Sequence, residues 1–219
     1  ISAFKSQQYR WTRGSAQVCK KLLWKILAGS LSWRTKLEAF FHLSANFCYV
    51  LMLLVALLIA PVSTWRLVNN YGIGTWLELY IFLCTFASMV AFYVYSQIQQ
   101  GHGFRALEIL AGIVLGVGIV ANCAVASLAG IMAGPGVFVR TPKSGATDTN
   151  MADMRSWIAK SGVWQELRRH SKELAIAIYL LIGILYMLGQ SNLRGLPFVV
   201  LMFAGYSSVL MLACRSERA

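Results

Sequence analysis

The stretch LSANFCYVLMLLVALLIAPVSTW, residues 43–65, decides the fold, because it contains no charged residue. A helix needs about 20 mainly apolar residues to cross a lipid bilayer. This stretch is long enough, so it predicts a transmembrane helix. Four further charge-free stretches have a comparable length and predict the same kind of element: Leu79–Gly101, Ile109–Val139, Leu174–Leu193 and Gly195–Cys214.

The composition of the 219 residues agrees with a membrane protein. Hydrophobic residues make up 58% of the chain, charged residues only 13%, and the net charge is +12. A soluble domain carries about 25% charged residues. These numbers exclude an ordinary soluble domain, a disordered chain and a coiled coil.

The charges lie in two blocks between the apolar stretches. Residues 1–36 hold eight cations and no acid, and residues 140–173 hold seven cations against four acids. The positive-inside rule places both blocks in the cytoplasm. An even number of crossings must then separate them, although three apolar stretches lie between them.

The stretch 109–139 is the expected exception, because it is rich in glycine and contains Asn122 near its middle. Glycine weakens a helix and asparagine is costly against lipid. We expect a re-entrant or interfacial helix here, the alternative being a true span with the second basic block outside. The predicted crossings are then 43–62, 77–97, 174–190 and 196–213.

Residues 15–29 predict a basic amphipathic helix on the anionic cytoplasmic leaflet; the alternative is a helix packed on a soluble domain. The predicted fold class is therefore an all-α polytopic membrane protein, with this interfacial helix, about four transmembrane helices and a re-entrant or interfacial helix. The expected parts are 1–36, which ends a catalytic domain; 37–100, a transmembrane pair; 101–135, the interfacial or re-entrant helix; 136–173, a cytoplasmic loop; and 174–219, a second transmembrane pair.

The scattered sulfur and imidazole side chains predict no site. The five cysteines form no CxxC pair, so we expect buried free thiols. The three histidines lie far apart without carboxylate partners at ligand spacing, and we expect them at interfaces or in loops rather than on a metal.

Two segments could carry chemistry. In QQYRW, Gln7, Arg10 and Trp11 share one helical face; an amide, a guanidinium and an indole together suit a sugar nucleotide. By residue type alone, an arginine-tryptophan pair at a membrane surface is more often an interfacial anchor. The second segment is FVRTPK, residues 138–143, whose two cations and hydroxyl could close over a diphosphate; the alternative is a solvated basic loop.

Together these segments resemble the processive family 2 glycosyltransferases, such as the cellulose, hyaluronan and poly-N-acetylglucosamine synthases. Gln7, Arg10 and Trp11 match the QxxRW signature of that family, and residues 138–143 look like its FxVTxK gating loop. Arg140 departs from that pattern, which favours a cellulose synthase-like relative over a bacterial cellulose synthase. The resemblance covers nearly all of the chain, including the order of interface helix, membrane helices and loop.

The resemblance implies a role for each motif residue. Trp11 would form the floor of the acceptor site, Gln7 would help frame it, and Arg10 would hold the donor pyrophosphate. The gating loop would close over the nucleotide diphosphate and exclude water. Its contacting residues would be Phe138, Thr141 and Lys143, with Arg140 as an added phosphate contact.

The resemblance also implies parts that this chain lacks. Such enzymes bind Mg²⁺ or Mn²⁺ through a DxD motif and use an aspartate base, and neither precedes QxxRW here. We therefore expect these residues upstream of Ile1 and no transfer by this chain alone. The expected partners are a UDP-sugar or GDP-sugar donor, a glycan or lipid acceptor and membrane lipid, with no nucleic acid. The expected location is a bacterial inner or plasma membrane.

A non-enzymatic membrane protein, such as a transporter subunit or scaffold with a basic cytoplasmic face, is the alternative function. The family also suggests a glycan channel, for which aromatic and polar side chains in residues 46–97 are candidates, although tyrosine and tryptophan line the interface of any membrane protein. The candidates are Asn46, Tyr49, Trp65, Trp76, Tyr80, Ser88, Tyr93, Tyr95 and Gln97.

Overall fold

The computed structural model describes residues 1–69, 72–101, 103–132 and 170–215, and every regular element in these ranges is helical. Four of the described helical segments are long and apolar enough to cross a membrane: Trp33–Val68, Trp76–Gln99, Ser171–Gly189 and Leu196–Cys214. The helices are α1 (Ser2–Ala28), α2 (Trp33–Ser44), a 3₁₀ turn (Ala45–Phe47), α3 (Cys48–Val68), α4 (Gly72–Gln99), α5 (Ala106–Gly118), α6 (Val120–Met132), α7 (Ser171–Gly189) and α8 (Leu196–Arg215).

The amphipathic helix predicted for residues 15–29 begins earlier, because α1 starts at Ser2 and includes the QxxRW motif. The apolar stretch that begins at Ile109 is broken. Its two helices, α5 and α6, are bent by 46° at Ile119, and they count as a fifth candidate span only if the bent pair forms one span. The prediction that this segment is re-entrant or interfacial stays a prediction.

The chain divides into two compact units. The described part of the first unit comprises residues 1–54, 120–132 and 212–215, and its centre is the contact between α1 and α6. Thr12, Ala16 and Cys19 recur at helical spacing on α1 and are buried. A Cβ at Gly130 of α6 would lie 2.6 Å from the Arg13 carbonyl oxygen and 2.7 Å from the Ala16 Cβ. The two backbones therefore touch, as small residues allow between helices.

Side chains that donate to backbone carbonyls hold the first unit together. Asn122 Nδ2 of α6 donates to the Lys5 carbonyl at 2.9 Å, and Ser127 Oγ donates to the Asn46 carbonyl at 2.8 Å. Lys20 Nζ donates to the carbonyl of Ile131 at 2.6 Å. That carbonyl is among the last four of α6, which have no partner inside the helix. Asn122, which would be costly against lipid, thus has a partner on α1.

The second unit comprises residues 55–119 and 170–211. Its helix α3 continues through Pro61, which has no N–H to donate to the Leu57 carbonyl. The hydroxyl of Tyr179 on α7 donates to that carbonyl instead. A neighbouring helix thereby satisfies an acceptor that would be costly to leave unpaired in an apolar environment.

In the second unit, glycines allow a close contact between α5 and α8. A Cβ at Gly205 would lie 2.7 Å from Val117 Cγ1 and 2.8 Å from the Gly118 nitrogen, so only glycine fits. One face of α8 is buried at helical spacing around this contact: Val199, Met202, Tyr206 and Val209.

The turn between α7 and α8 ends α7 with a Schellman pattern. Asn192 N–H donates to the Met187 carbonyl and Ser191 N–H donates to the Leu188 carbonyl. Ser191 has a φ of 54°, the left-handed conformation that this motif requires after the helix. The turn directs Asn192 inward, where its Nδ2 donates to Ser63 Oγ of α3 at 2.9 Å.

The contacts fix the directions of four helices within the second unit. The ends of α3 and α7 meet where Ser63 contacts Asn192, and α4 begins beside the end of α3, where Arg66 pairs with Glu78 at 2.8 Å. Thus α3 and α7 run towards this end, whereas α4 and α8 run away from it. Gln99, at the end of α4, and Ser171, at the start of α7, both lie at the opposite end of the unit. If the chain between them crosses a membrane, it must cross an even number of times.

Candidate functional site

The QxxRW residues lie in the N-terminal half of α1, on the side opposite its contact with α6. At about 100° per residue, Gln7 and Trp11 are centred about 130° around the helix from Thr12, Ala16 and Cys19. Trp11 is 61% exposed, and Gln7 and Arg10 are half-buried. The helix therefore holds itself in place with small side chains and presents the indole outward.

The face of α1 that carries the indole also carries a glycine. Gly14 is one turn further along the same face as Gln7 and Trp11, and a Cβ placed there would meet no atom of the described residues within 4 Å. The flat side of a sugar ring needs such an unobstructed approach to a tryptophan. The sequence analysis did not include Gly14, although this glycine lies only three residues after the last residue of the QxxRW motif.

Cations dominate the electrostatics of α1. The helix contains six cations and no acid. Arg10, Lys21 and Lys25 fall within about 60° of one another around the axis, next to the face that carries Trp11. An anionic group beside α1 meets no acidic side chain of the helix itself, which suits a nucleotide diphosphate or an anionic lipid surface.

A buried thiol lies on the packed side of α1. Burial raises the pKa of the Cys19 thiol, which therefore stays protonated. All five cysteines are free, as predicted, but Cys48 and Cys84 are exposed rather than buried and Cys214 is intermediate. The prediction of burial was wrong at these positions because an exposed cysteine on an apolar helix can face lipid.

The gating-loop residues Phe138, Arg140, Thr141 and Lys143 lie outside the described residues. The chain enters this segment from the end of α6, where Gly130 touches α1 at Arg13 and Ala16 and where Lys20 holds the Ile131 carbonyl. Gly130 therefore lies beside residues two and five positions after Trp11, and Ile131 is bonded to a residue nine positions after it.

The described residues contain no group of three or more His, Cys, Asp or Glu side chains that could hold a metal ion. The expectation of Mg²⁺ or Mn²⁺ concerned residues upstream of Ile1, and it stays a prediction. The expectation that His170 lacks a carboxylate partner was wrong: its Nδ1 lies 3.9 Å from the Glu173 carboxylate, and both side chains are buried.

The aromatic side chains suggested as a glycan channel are spread over α3 and α4. Trp65, Trp76, Tyr80 and Tyr95 are exposed, and the Tyr95 hydroxyl accepts from Gln99 Nε2. Trp76 and Tyr80 share one cleft. Tyr93 and Tyr95 are two residues apart on a helix, so they point to different sides.

No family model, curated protein or solved structure matches this chain.

Proposed function

We propose that this chain is the membrane and acceptor-binding part of an inverting family 2 β-glycosyltransferase, which transfers sugar from a nucleotide-sugar donor to a polysaccharide or a glycolipid. The observation that carries the proposal is the outward face of α1. Gln7, Arg10 and Trp11 share this face, Trp11 is exposed, and no described residue lies within 4 Å of a Cβ placed at Gly14.

Each residue of this face has a role that suits its chemistry. The indole of Trp11 stacks on the terminal sugar of the acceptor, and the amide of Gln7 bonds its hydroxyls. The guanidinium of Arg10 binds the donor diphosphate with two parallel hydrogen bonds, a geometry that lysine cannot reproduce.

Covalent geometry supports a role for the loop after α6. Phe138 is six residues beyond Met132, and an extended chain spans at most about 3.6 Å per residue. The connection is therefore short, at most about 22 Å when fully extended, so the FVRTPK segment begins close to the α6 end that contacts α1. In the proposed mechanism Phe138, Arg140, Thr141 and Lys143 close over the diphosphate and exclude water, on the cytoplasmic side of a bacterial inner or plasma membrane.

The test is sugar transfer by membranes that contain the full-length protein, with radiolabelled UDP-glucose, UDP-N-acetylglucosamine and GDP-mannose as donors. We expect one donor to label a polymer or a lipid. Trp11→Ala should lower the rate by at least about 100-fold, since precise positioning of the reactants contributes effects of this size. Arg10→Lys should mainly raise the donor KM.

Trp24→Ala is the matched control. Trp24 is 75% exposed on the same helix but lies about 140° away from Trp11 around the axis. It should retain activity and the same level of protein in the membrane. Equal activity in the Trp11 and Trp24 variants would contradict the proposal, and so would inserted protein that labels no product from any donor.

A further inference from the structure

The second unit has a polar end that the proposed glycosyl transfer does not use. The end of α3 is joined there to α4 by the Arg66–Glu78 ion pair and to the turn from α7 to α8 by the hydrogen bond from Asn192 to Ser63. Residues 63–83 and 189–197 contain two cations, Arg66 and Arg194, and one acid, Glu78. The end therefore carries an excess of one positive charge.

A cleft of about 410 Å³ opens at this end, between Trp76 and the turn of residues 191–194. Most of its lining is apolar, but Ser191, Asn192 and Arg194 give it polar groups, and we call it the polar cleft. Asn192 lines it and is only 2% exposed, yet its buried Oδ1 has no hydrogen-bond partner among the described residues. Buried acceptors nearly always have a donor. A ligand with a hydroxyl group would supply one.

The guanidinium of Arg194 marks the mouth of the same cleft. Its carbon lies 4.3 Å from the centre of the Trp76 ring. A guanidinium over an indole keeps its positive charge, and its five N–H donors can serve more than one acceptor. This arrangement is suited to one oxygen-rich anion such as a phosphate.

An apolar cleft of about 450 Å³ continues from the polar one along α4. Trp76 and Leu79 line both clefts, and Leu77, Tyr80 and Leu83 complete the apolar one. From Trp76 to Leu83 the helix rises by about 10 Å. Among the described residues, none of the apolar window of α4 is fully buried, so its side chains are available to an acyl chain.

We propose that the two clefts together bind one anionic phospholipid with a hydroxylated headgroup, of the phosphatidylglycerol type. Its phosphate binds Arg194, a headgroup hydroxyl donates to Asn192 Oδ1, and an acyl chain lies along α4 from Trp76 to Leu83. A free phosphate would use the polar cleft alone and leave the apolar cleft uncovered. The proposal does not depend on glycosyl transfer.

The test is native mass spectrometry of the detergent-purified full chain with phosphatidylglycerol or phosphatidylcholine of matched acyl chains. We expect preferential retention of phosphatidylglycerol. Arg194→Gln should weaken it about fivefold, the effect of one cation near an anionic lipid. Arg105→Gln removes one charge from the exposed pair with Glu108 and should leave retention unchanged.

A photoreactive acyl chain on phosphatidylglycerol should cross-link to residues 76–83, and Leu83→Trp should lower this yield by filling the cleft without touching the core. Equal retention of both lipids, equal effects of the two arginine variants, or cross-links elsewhere would overturn the proposal. Displacement of the lipid by equimolar glycerol 3-phosphate would identify a site for free phosphate and would also overturn it.

Discussion

The contact of α1 with α6 and the contact of α3 with α7 use the same device with different donors. In each, a side chain of one helix donates to a backbone carbonyl of the other. The donors from α1 and α6 are the ammonium of Lys20 and the amide of Asn122, whereas the donor from α7 is the hydroxyl of Tyr179.

The charge of the donor group indicates which contact is suited to water and which to lipid. A charged ammonium is stable at a wet surface and costly in hydrocarbon. A tyrosine hydroxyl carries no charge, and it satisfies an acceptor that Pro61 leaves without its helical partner in the middle of an apolar helix. The donor chemistry therefore agrees with an interfacial α1 and a membrane-spanning α3, the same division that the charge pattern predicts.

The largest expected effect comes from filling the α1–α6 contact. Gly130→Ala places a Cβ against the Arg13 carbonyl and Ala16, so we expect a loss of about 2 kcal/mol in the free energy of unfolding. Unfolding by SDS in mixed micelles measures it. Gly116→Ala, where a Cβ meets nothing within 4 Å, should cause no loss; similar losses in both variants would mean that the contact is not close-packed.

A smaller effect tests the donor from α7. Tyr179→Phe should cost about 1 kcal/mol, because the Leu57 carbonyl loses its donor. In a Pro61→Ala background, the N–H of residue 61 can bond the same carbonyl. The cost of Tyr179→Phe should then fall clearly in the same unfolding assay. An unchanged cost would show that the tyrosine stabilises the unit by another contact.

The charged donor should behave differently from the hydroxyl. Lys20→Met should cost about 0.5 kcal/mol, since an exposed charged hydrogen bond is largely screened. The cost should shrink as NaCl is raised from 50 mM to about 1 M, where screening is nearly complete. The cost of Tyr179→Phe should not change with salt, and a parallel salt dependence of the two variants would remove the distinction between a wet and a dry contact.

The smallest effect concerns the outward face of α1. Gly14→Ala should raise the free energy of unfolding by about 0.5 kcal/mol, because alanine reduces the freedom of the unfolded chain and meets no neighbour in the helix. Gly14→Leu should be equally well folded but should slow sugar transfer by covering the space beside Trp11. Unaltered transfer by Gly14→Leu would argue against acceptor binding on this face.

The outward face of α1 could be predicted from the sequence, because the spacing of Gln7, Arg10 and Trp11 places them on one side of any α-helix. The inward face, which packs on α6, could not be predicted. Thr12, Ala16 and Cys19 have no apolar pattern that hydropathy reveals, and their partner Gly130 lies more than 100 residues away. Glycines in the stretch 109–139 were interpreted as a sign of a weak helix, whereas Gly118 and Gly130 allow close packing between helices.

The sequence by itself determined the helical class, the four long apolar helices and the positions of the basic segments, since these follow from hydropathy and charge among neighbouring residues. Only the tertiary structure decided that Tyr179 bonds Leu57, that Lys20 bonds Ile131 and that Arg194 lies over Trp76. Each of these contacts joins residues more than 100 positions apart. Such contacts depend on which small side chains let two backbones approach, and a local pattern does not contain that information.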